Sequence, residues 1–286
     1  MAALANTGTA VGLWGSWWDG ATADAVFRAQ EMMPIAEARI GPWNHEGYQH
    51  ASPLEHATAE PGTVDLDAVA AFCNRYLRTD APPSDSARRV QWYVAGAERW
   101  RAASRWPRTT MRTWSVMPAG AMAGADMLQR WSTAEGATTG KNNRWTAGLA
   151  RPVDISERAE ARGIHSFQLP VLTDALSVFG AGVFTCRLAA DQSAATLHVY
   201  VESVDPAGHV RLLAEGMQTI VRSAEPEVSV RIRPVAFMLP VGWRIRLSLA
   251  NEDAPTFERV PQTGAVVWTI DTRSCTLTFP IEESGW

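Results

Sequence analysis

Two loops carry residue types that could do chemistry. The first reads Gly15-Ser16-Trp17-Trp18-Asp19-Gly20 and the second Gly41-Pro42-Trp43-Asn44-His45. An aspartate bonded to one imidazole nitrogen fixes the ring tautomer and stabilises its protonated form, so the other nitrogen can take and return a proton. Asp19 and His45 are the pair that could do this. Placed after parallel strands they could form the base half of a Ser-His-Asp triad, although by spacing alone an Asp in a turn and a lone His are more often structural. Such a pair needs a nucleophile. The strained elbow that presents a serine reads G-x-S-x-G, and this sequence contains none. Ser16 follows Gly15, but two tryptophans come next instead of an elbow.

A second cluster invites a metal. His45-Glu46, His50 and Glu55-His56 offer imidazoles and carboxylates in one short stretch. A helical zinc motif needs its histidines four apart on one face. Here His45 and His50 are five apart, and Gly47 and Pro53 break any helix that would align them, so no metal ligand is assigned. His165, His198 and His209 have no clustered partner and read as solvated or hydrogen-bonded side chains. Arg244 and Arg246 alternate with Ile245 and Leu247, which reads as the solvated face of a strand. The 13 tryptophans read as packing residues ahead of a carbohydrate platform.

A strand must stand before each loop to position Asp19 and His45. Ala10–Trp17 is an apolar run bounded by glycines, and Ala36–Ile40 is a second strand closed by Gly41-Pro42. Between them Ala21–Met33 has helical composition and stops at Pro34. In Val64–Arg78, residues Leu66, Val69, Cys73, Tyr76 and Leu77 recur at helical spacing, with Asp65 and Asp67 at the start and Arg75 and Arg78 near the end. Strand, helix, strand, helix is α/β, and loops leaving the C-terminal ends of parallel strands converge on a site.

The polar, proline-rich stretch Thr79–Ala87 marks a boundary between a first domain, 1–83, and a second, 88–286. Beyond it come Val90–Ala95, Thr110–Met117, Ser166–Leu172, Val178–Arg187, Thr196–Val204, Met217–Val221, Val228–Arg233, Ile245–Ala250, Val266–Asp271 and Thr276–Ile281. Such a series of short runs predicts an all-β sandwich or jelly roll. In one of them Val228, Val230 and Ile232 share a face and Ser229, Arg231 and Arg233 the other. Residues 120–163 are less patterned and read as a long loop or edge excursion.

Composition sets the exclusions. The chain has 286 residues, 46% hydrophobic and 20% charged, an ordinary globular balance long enough for two domains. A formal net charge of -4 gives no basic footprint, so no nucleic-acid partner is expected. No apolar run is long enough to span a bilayer, so no membrane partner is expected either. The N-terminal residues lack a basic-then-apolar leader, which reads as a cytoplasmic protein. Cys73, Cys186 and Cys275 are too few for a disulfide framework and read as small buried thiols in a reducing compartment. No cofactor is expected.

Trp-Trp-Asp-Gly after an apolar strand, followed by Gly-Pro-Trp-x-His, resembles the cocaine-esterase and X-Pro dipeptidyl-peptidase family of serine hydrolases. Phe72–Arg78 (FCNRYLR) is similar to that family's helix with a Phe-Phe-Asp-x-x-Leu type run. Val90–Pro107 (VQWYVAGAERWRAASRWP) is similar to the strand and Trp-Pro that open its C-terminal domain. Asn142–Gly148, Leu169–Gly180, Pro240–Leu247 and Ala254–Gly264 resemble further segments of that domain, in order. The resemblance implies the last strands and helices of an α/β-hydrolase domain over 1–83 and a galactose-binding-like jelly roll over 88–286. It implies Asp19 and His45 as two members of a catalytic triad in the family's chain order, with Trp17 and Trp18 lining or supporting the pocket and Trp43 packing beside the base.

The same resemblance places the serine and the oxyanion donors upstream of these loops, outside this sequence. The chain is therefore expected to be inactive alone, or to be complemented by a separately encoded N-terminal half. The substrate would be a small ester or an X-Pro peptide. The alternative is a stand-alone jelly-roll module that binds a carbohydrate or a protein.

Overall fold

The computed structural model describes residues 9–32, 36–47, 50–54, 66–77, 89–118, 128–133, 164–221, 227–253, 256–261 and 264–283. They fall into two compact units that divide between Pro107 and Arg108. In the first, the glycine-flanked apolar run gives strand β1 (Gly12–Ser16), and helix α1 (Thr22–Met32) follows after one turn. A Cβ on Gly15 would stand 2.8 Å from the Thr22 carbonyl oxygen, so only glycine lets the strand lie this close to the helix start. Helix α1 buries Ala23, Asp24 and Val26.

Strand β2 (Glu37–Gly41) lies parallel to β1, with Gly15 opposite Ile40 and Ser16 opposite Gly41. Strand β3 (Arg89–Val94) runs parallel on the far side of β2, and β4 (Arg99–Ala103) is antiparallel to β3. Parallel neighbours need crossover connections, and α1 and α2 (Leu66–Leu77) stand at those two places in the chain. The stretch expected to separate two domains, 79–87, lies outside the described residues. The first sheet takes in β3 and β4 beyond it. Helix α2 forms where its spacing predicts, yet Leu66, Val69 and Leu77 are exposed among the described residues.

The second unit is one antiparallel, all-β arrangement. Its strands are β5 (Thr109–Ser115), β6 (Met117–Pro118), β7 (Leu128–Thr133), β8 (His165–Gln168), β9 (Leu176–Ala190), β10 (Ala194–Val204), β11 (Val210–Val221), β12 (Glu227–Leu239), β13 (Arg244–Ala250) and β14 (Val266–Glu282). They are ordered β5-β14-β9-β12-β11-β10-β13-β8-β6, with β7 also on β14. Val228, Val230 and Ile232 point inward as their alternation predicts, and Trp268, Phe184, Phe237, Phe279 and Leu277 fill the core.

Two expected strands, Val266–Asp271 and Thr276–Ile281, are halves of the single strand β14. The intervening residues look like a turn but form a bulge, at which the pairing with β9 shifts register. The Asp271 carboxylate accepts the Arg273 N–H at 3.1 Å, and the Ser274 hydroxyl donates to the Asp271 carbonyl at 2.6 Å. The two halves pair with different edge strands, β7 and β5. Cys186 and Cys275 are buried beside each other, and their mutual hydrogen bond, with burial, pushes the Cys186 thiol far up. Most of the expected loop 120–163 lies outside the described residues, and β7 is the part of it that is described. Among the described residues no helix is long and apolar enough to cross a membrane.

Candidate active site

Strands β1 and β2 end in register, at Ser16 and Gly41. Asp19 and His45 therefore stand three and four residues beyond one shared level of the sheet. Ser16 fastens the two loops together: its buried hydroxyl lies 3.0 Å from the Gly41 carbonyl oxygen, reaches the Trp43 carbonyl oxygen, and accepts the Trp18 N–H at 3.2 Å. A serine so engaged is a structural link and not a presented nucleophile. The Trp17 N–H donates to the Gly41 carbonyl at 3.1 Å, and the Asp19 carbonyl accepts the Thr22 N–H and hydroxyl at 3.1 and 2.9 Å. Each of these bonds offsets part of the conformational entropy lost when the loop is ordered.

The second loop is a closed excursion. Trp43 bridges to His50, the Ala51 N–H donates to the Pro42 carbonyl at 2.6 Å, and a 3-10 turn His45–Gly47 lies between. Across from it, His45 Nδ1 lies 2.9 Å from Asp19 Oδ1, with the imidazole 45% and the carboxylate 20% exposed. In this pairing the neutral ring holds its proton on Nδ1 and donates it to the carboxylate, which leaves the Nε2 lone pair to act as a base. The structure thus brings together the two residues singled out from the sequence.

Trp17 is buried, and its indole N–H donates to the Tyr93 carbonyl at 2.8 Å. Trp43 is buried as well, its ring 6.3 Å from Trp14 and 5.5 Å from Trp100. The Arg39 guanidinium lies over all three of these rings, at 5.3, 5.8 and 4.4 Å from Trp14, Trp43 and Trp100. Trp18 is half-buried and is the one of the three site tryptophans with a solvent-facing part. Arg39, Tyr93 and Glu98 were not singled out from the sequence, and each bears on these loops.

Gly41 is the point of closest approach, because a Cβ there would overlap the Trp43 ring. Gly41→Ala is expected to drive the indole out of its place against Arg39. The expected cost is about 1–3 kcal/mol, the usual range for overpacking. Urea unfolding followed by tryptophan fluorescence checks it, and a variant as stable as the parent would contradict the tight placement of Trp43.

Among the described residues no three His, Cys, Asp or Glu side chains converge as a metal site. His50 instead sets its ring edge-on to Tyr93 at 5.0 Å. In the sandwich unit, none of the described tryptophans is exposed. Trp131 stacks between His165 and Trp268, at 4.7 and 6.1 Å, and is not part of an open platform.

The family model for the X-Pro dipeptidyl-peptidase C-terminal non-catalytic domain matches residues 84–267. Proteins named as serine esterases from Mycobacterium bovis and Mycobacterium tuberculosis are each 23% identical over 301 residues, covering 91% of this chain and 48% of their own length. The chain spans about half the length of the curated relatives it matches. Among solved structures, an aminopeptidase from a marine sediment Thaumarchaeota archaeon has a TM-score of 0.74 at 16% identity, over 96% of this chain and 55% of its own. An α-amino acid ester hydrolase has 0.71 at 16%, over 93% and 54%. A CocE/NonD family hydrolase from Staphylococcus aureus has 0.62 at 12%, over 96% and 54%. At these identities the structural likeness shows the fold. Asp19 and His45 lie ahead of the segment that the family model matches.

Proposed function

The chain belongs to the X-Pro dipeptidyl-peptidase C-terminal non-catalytic domain family, and from that premise we propose that it is the distal half of a serine hydrolase, contributing the acid and the base of the triad. The observation that carries this reading is the 2.9 Å contact of His45 Nδ1 with Asp19 Oδ1 at the matched ends of two parallel strands. The unit up to Pro107, whose strands β1–β4 form one sheet, would be the end of an α/β-hydrolase domain, and the unit from Arg108 its jelly roll. The reaction would be acyl transfer to water from a small ester or an X-Pro peptide. His45 takes the proton of an attacking serine and returns it to the leaving group, while Asp19 holds the ring.

The serine must come from another segment, in frame or separately encoded, because no G-x-S-x-G occurs here. Two features suit such a segment. Among the described residues β1 pairs with β2 alone, so one edge of a parallel strand is left to continue the sheet. Leu66, Val69 and Leu77 on α2 are exposed apolar side chains that a further layer would cover. Trp18, half-buried beside Asp19, suits the pocket wall, and Trp17 and Trp43 suit support behind it.

The test compares p-nitrophenyl ester and X-Pro p-nitroanilide hydrolysis by the chain alone and by the chain joined to, or co-expressed with, a hydrolase half that supplies a serine elbow, as the reading requires. No turnover is expected from the chain alone. The assembled enzyme should turn over, and His45→Ala should abolish it. Turnover by the chain alone, or assembled halves indifferent to His45→Ala, would overturn the reading.

A further inference from the structure

The turn between β3 and β4 holds a residue that neither its local sequence nor the acyl-transfer chemistry requires. Glu98 has φ of 46°, the left-handed region that a non-glycine side chain enters at a cost of the order of 1 kcal/mol or more. Gly96, two residues earlier, already takes a positive φ of 81°, and glycine does so freely, so Glu98 is the residue of this turn that bears the cost of the conformation. Something must offset the cost of placing a glutamate there.

What offsets it is the carboxylate. Glu98 Oε1 accepts the Gly96 N–H at 2.7 Å and the Ser52 hydroxyl at 2.8 Å, and Oε2 accepts the Tyr93 hydroxyl at 2.8 Å. The Gly96 bond is local and would stabilise the turn in any protein. The Ser52 bond is not local. It spans 46 residues and ends on the buried last part of the excursion that carries His45, next to Ala51, whose N–H closes that excursion on Pro42. Hydrogen bonds to a charged acceptor are among the stronger ones in a folded chain.

The same hairpin holds the Asp19 loop. Tyr93 gives its hydroxyl to Glu98 and accepts the Trp17 indole N–H on its backbone carbonyl, while its ring receives the edge of His50. Trp100, on the far side of the turn, packs on Trp43. The two loops are thus tied to one another through Ser16 and separately to one rigid hairpin. Loops joined to each other at one point and to one hairpin at others have less freedom to shift Asp19 against His45.

We propose that Glu98 is a positioning residue for the Asp19–His45 pair, its carboxylate clamping the His45 excursion to the β3–β4 turn through Ser52. Its importance for turnover rests on the functional reading above, but its effect on the geometry of the pair does not.

The decisive variant is Glu98→Gly, which removes the carboxylate and relieves the left-handed backbone, so the turn itself is not asked to fold around a new strain. Ser52→Ala removes only the loop end of the clamp and guards against a folding failure. Glu98→Gln is the conservative control, because its amide oxygen can accept from Ser52 and Gly96 while its N–H donates to the Tyr93 oxygen. The readout is the tautomer of His45 in the 15N-labelled full chain, taken from long-range ring 15N–1H correlations at alkaline pH. The parent should show the Nδ1-protonated ring. Glu98→Gly and Ser52→Ala should shift it toward the Nε2-protonated form favoured by free histidine, and should speed Ala51 amide exchange about tenfold. Glu98→Gln should restore both.

An unchanged tautomer in folded Glu98→Gly and Ser52→Ala overturns the proposal. A tautomer that shifts in an assembled enzyme indifferent to His45→Ala upholds the clamp and overturns the catalytic reading. The two failures are therefore distinguishable.

Discussion

Under the proposed triad, Asp19→Asn is expected to lower kcat of the assembled hydrolase about 10³–10⁴-fold with KM nearly unchanged. The asparagine is close to the aspartate in size, so the loop can keep its shape. Its amide N–H, however, can donate to His45 Nδ1, which drives the ring proton onto Nε2 and leaves no lone pair to receive the serine proton. KM would be spared because in the proposed triad Asp19 acts through the ring and not on the substrate. The lower part of the range applies if the 45% exposure of His45 lets water exchange the tautomers.

The same substitution should hardly move stability, by about 1 kcal/mol at most, because exposed pairs contribute that little. This separation is the useful part of the prediction. Large loss of turnover with an unmoved urea midpoint is the signature of a pair whose value lies in orientation. A fall of less than tenfold in kcat, or a loss matched by unfolding, would count against Asp19 as the partner of the base.

The legibility of this site follows from how its parts are connected. Asp19 and His45 could be found because short loops after apolar strands bring residues close in sequence to strand ends that are close in space. The clamp could not. Glu98 sits 46 residues from Ser52, in a turn whose sequence, Ala95-Gly96-Ala97-Glu98, reads as an ordinary solvated hairpin connection. Period-2 alternation found the face of β12 over Val228–Ile232, where buried and exposed residues alternate, and it ends before Val235–Phe237, which are buried in succession. It failed at β14, where Asp271 to Cys275 hold a bulge by side-chain bonds that look the same as those of a turn. It failed again at β13, expected to present Arg244 and Arg246 to solvent. Arg246 is buried there, against a glutamate on the neighbouring strand, and no local pattern announces a partner 44 residues away.

That arginine carries the largest stability effect expected in the sandwich. Glu202 on β10 is fully buried, with 0% of its side chain exposed, and Arg246 Nε donates to its Oε2 at 2.5 Å while the Ser248 hydroxyl donates to the same oxygen at 2.8 Å. Strands β10 and β13 place Glu202 directly opposite Arg246. Arg246→Met keeps the bulk of the side chain and removes its charge, which takes from a fully buried carboxylate the cation that donates to it. Removing one member of a buried ion pair costs about 3–5 kcal/mol. For a chain of this size that should lower the urea midpoint of the sandwich by about 1–2 M. Adding Glu202→Met should recover most of the loss, since two apolar side chains pack where the pair stood and the Ser248 hydroxyl still has Ser166 at 3.1 Å. The sum is decided by desolvation: if the single variant costs under about 1 kcal/mol, water reaches Glu202 after the arginine goes, and the carboxylate is not sealed as the structure places it. If the double variant is no better than the single, packing around the two side chains, and not the stranded charge, sets the cost.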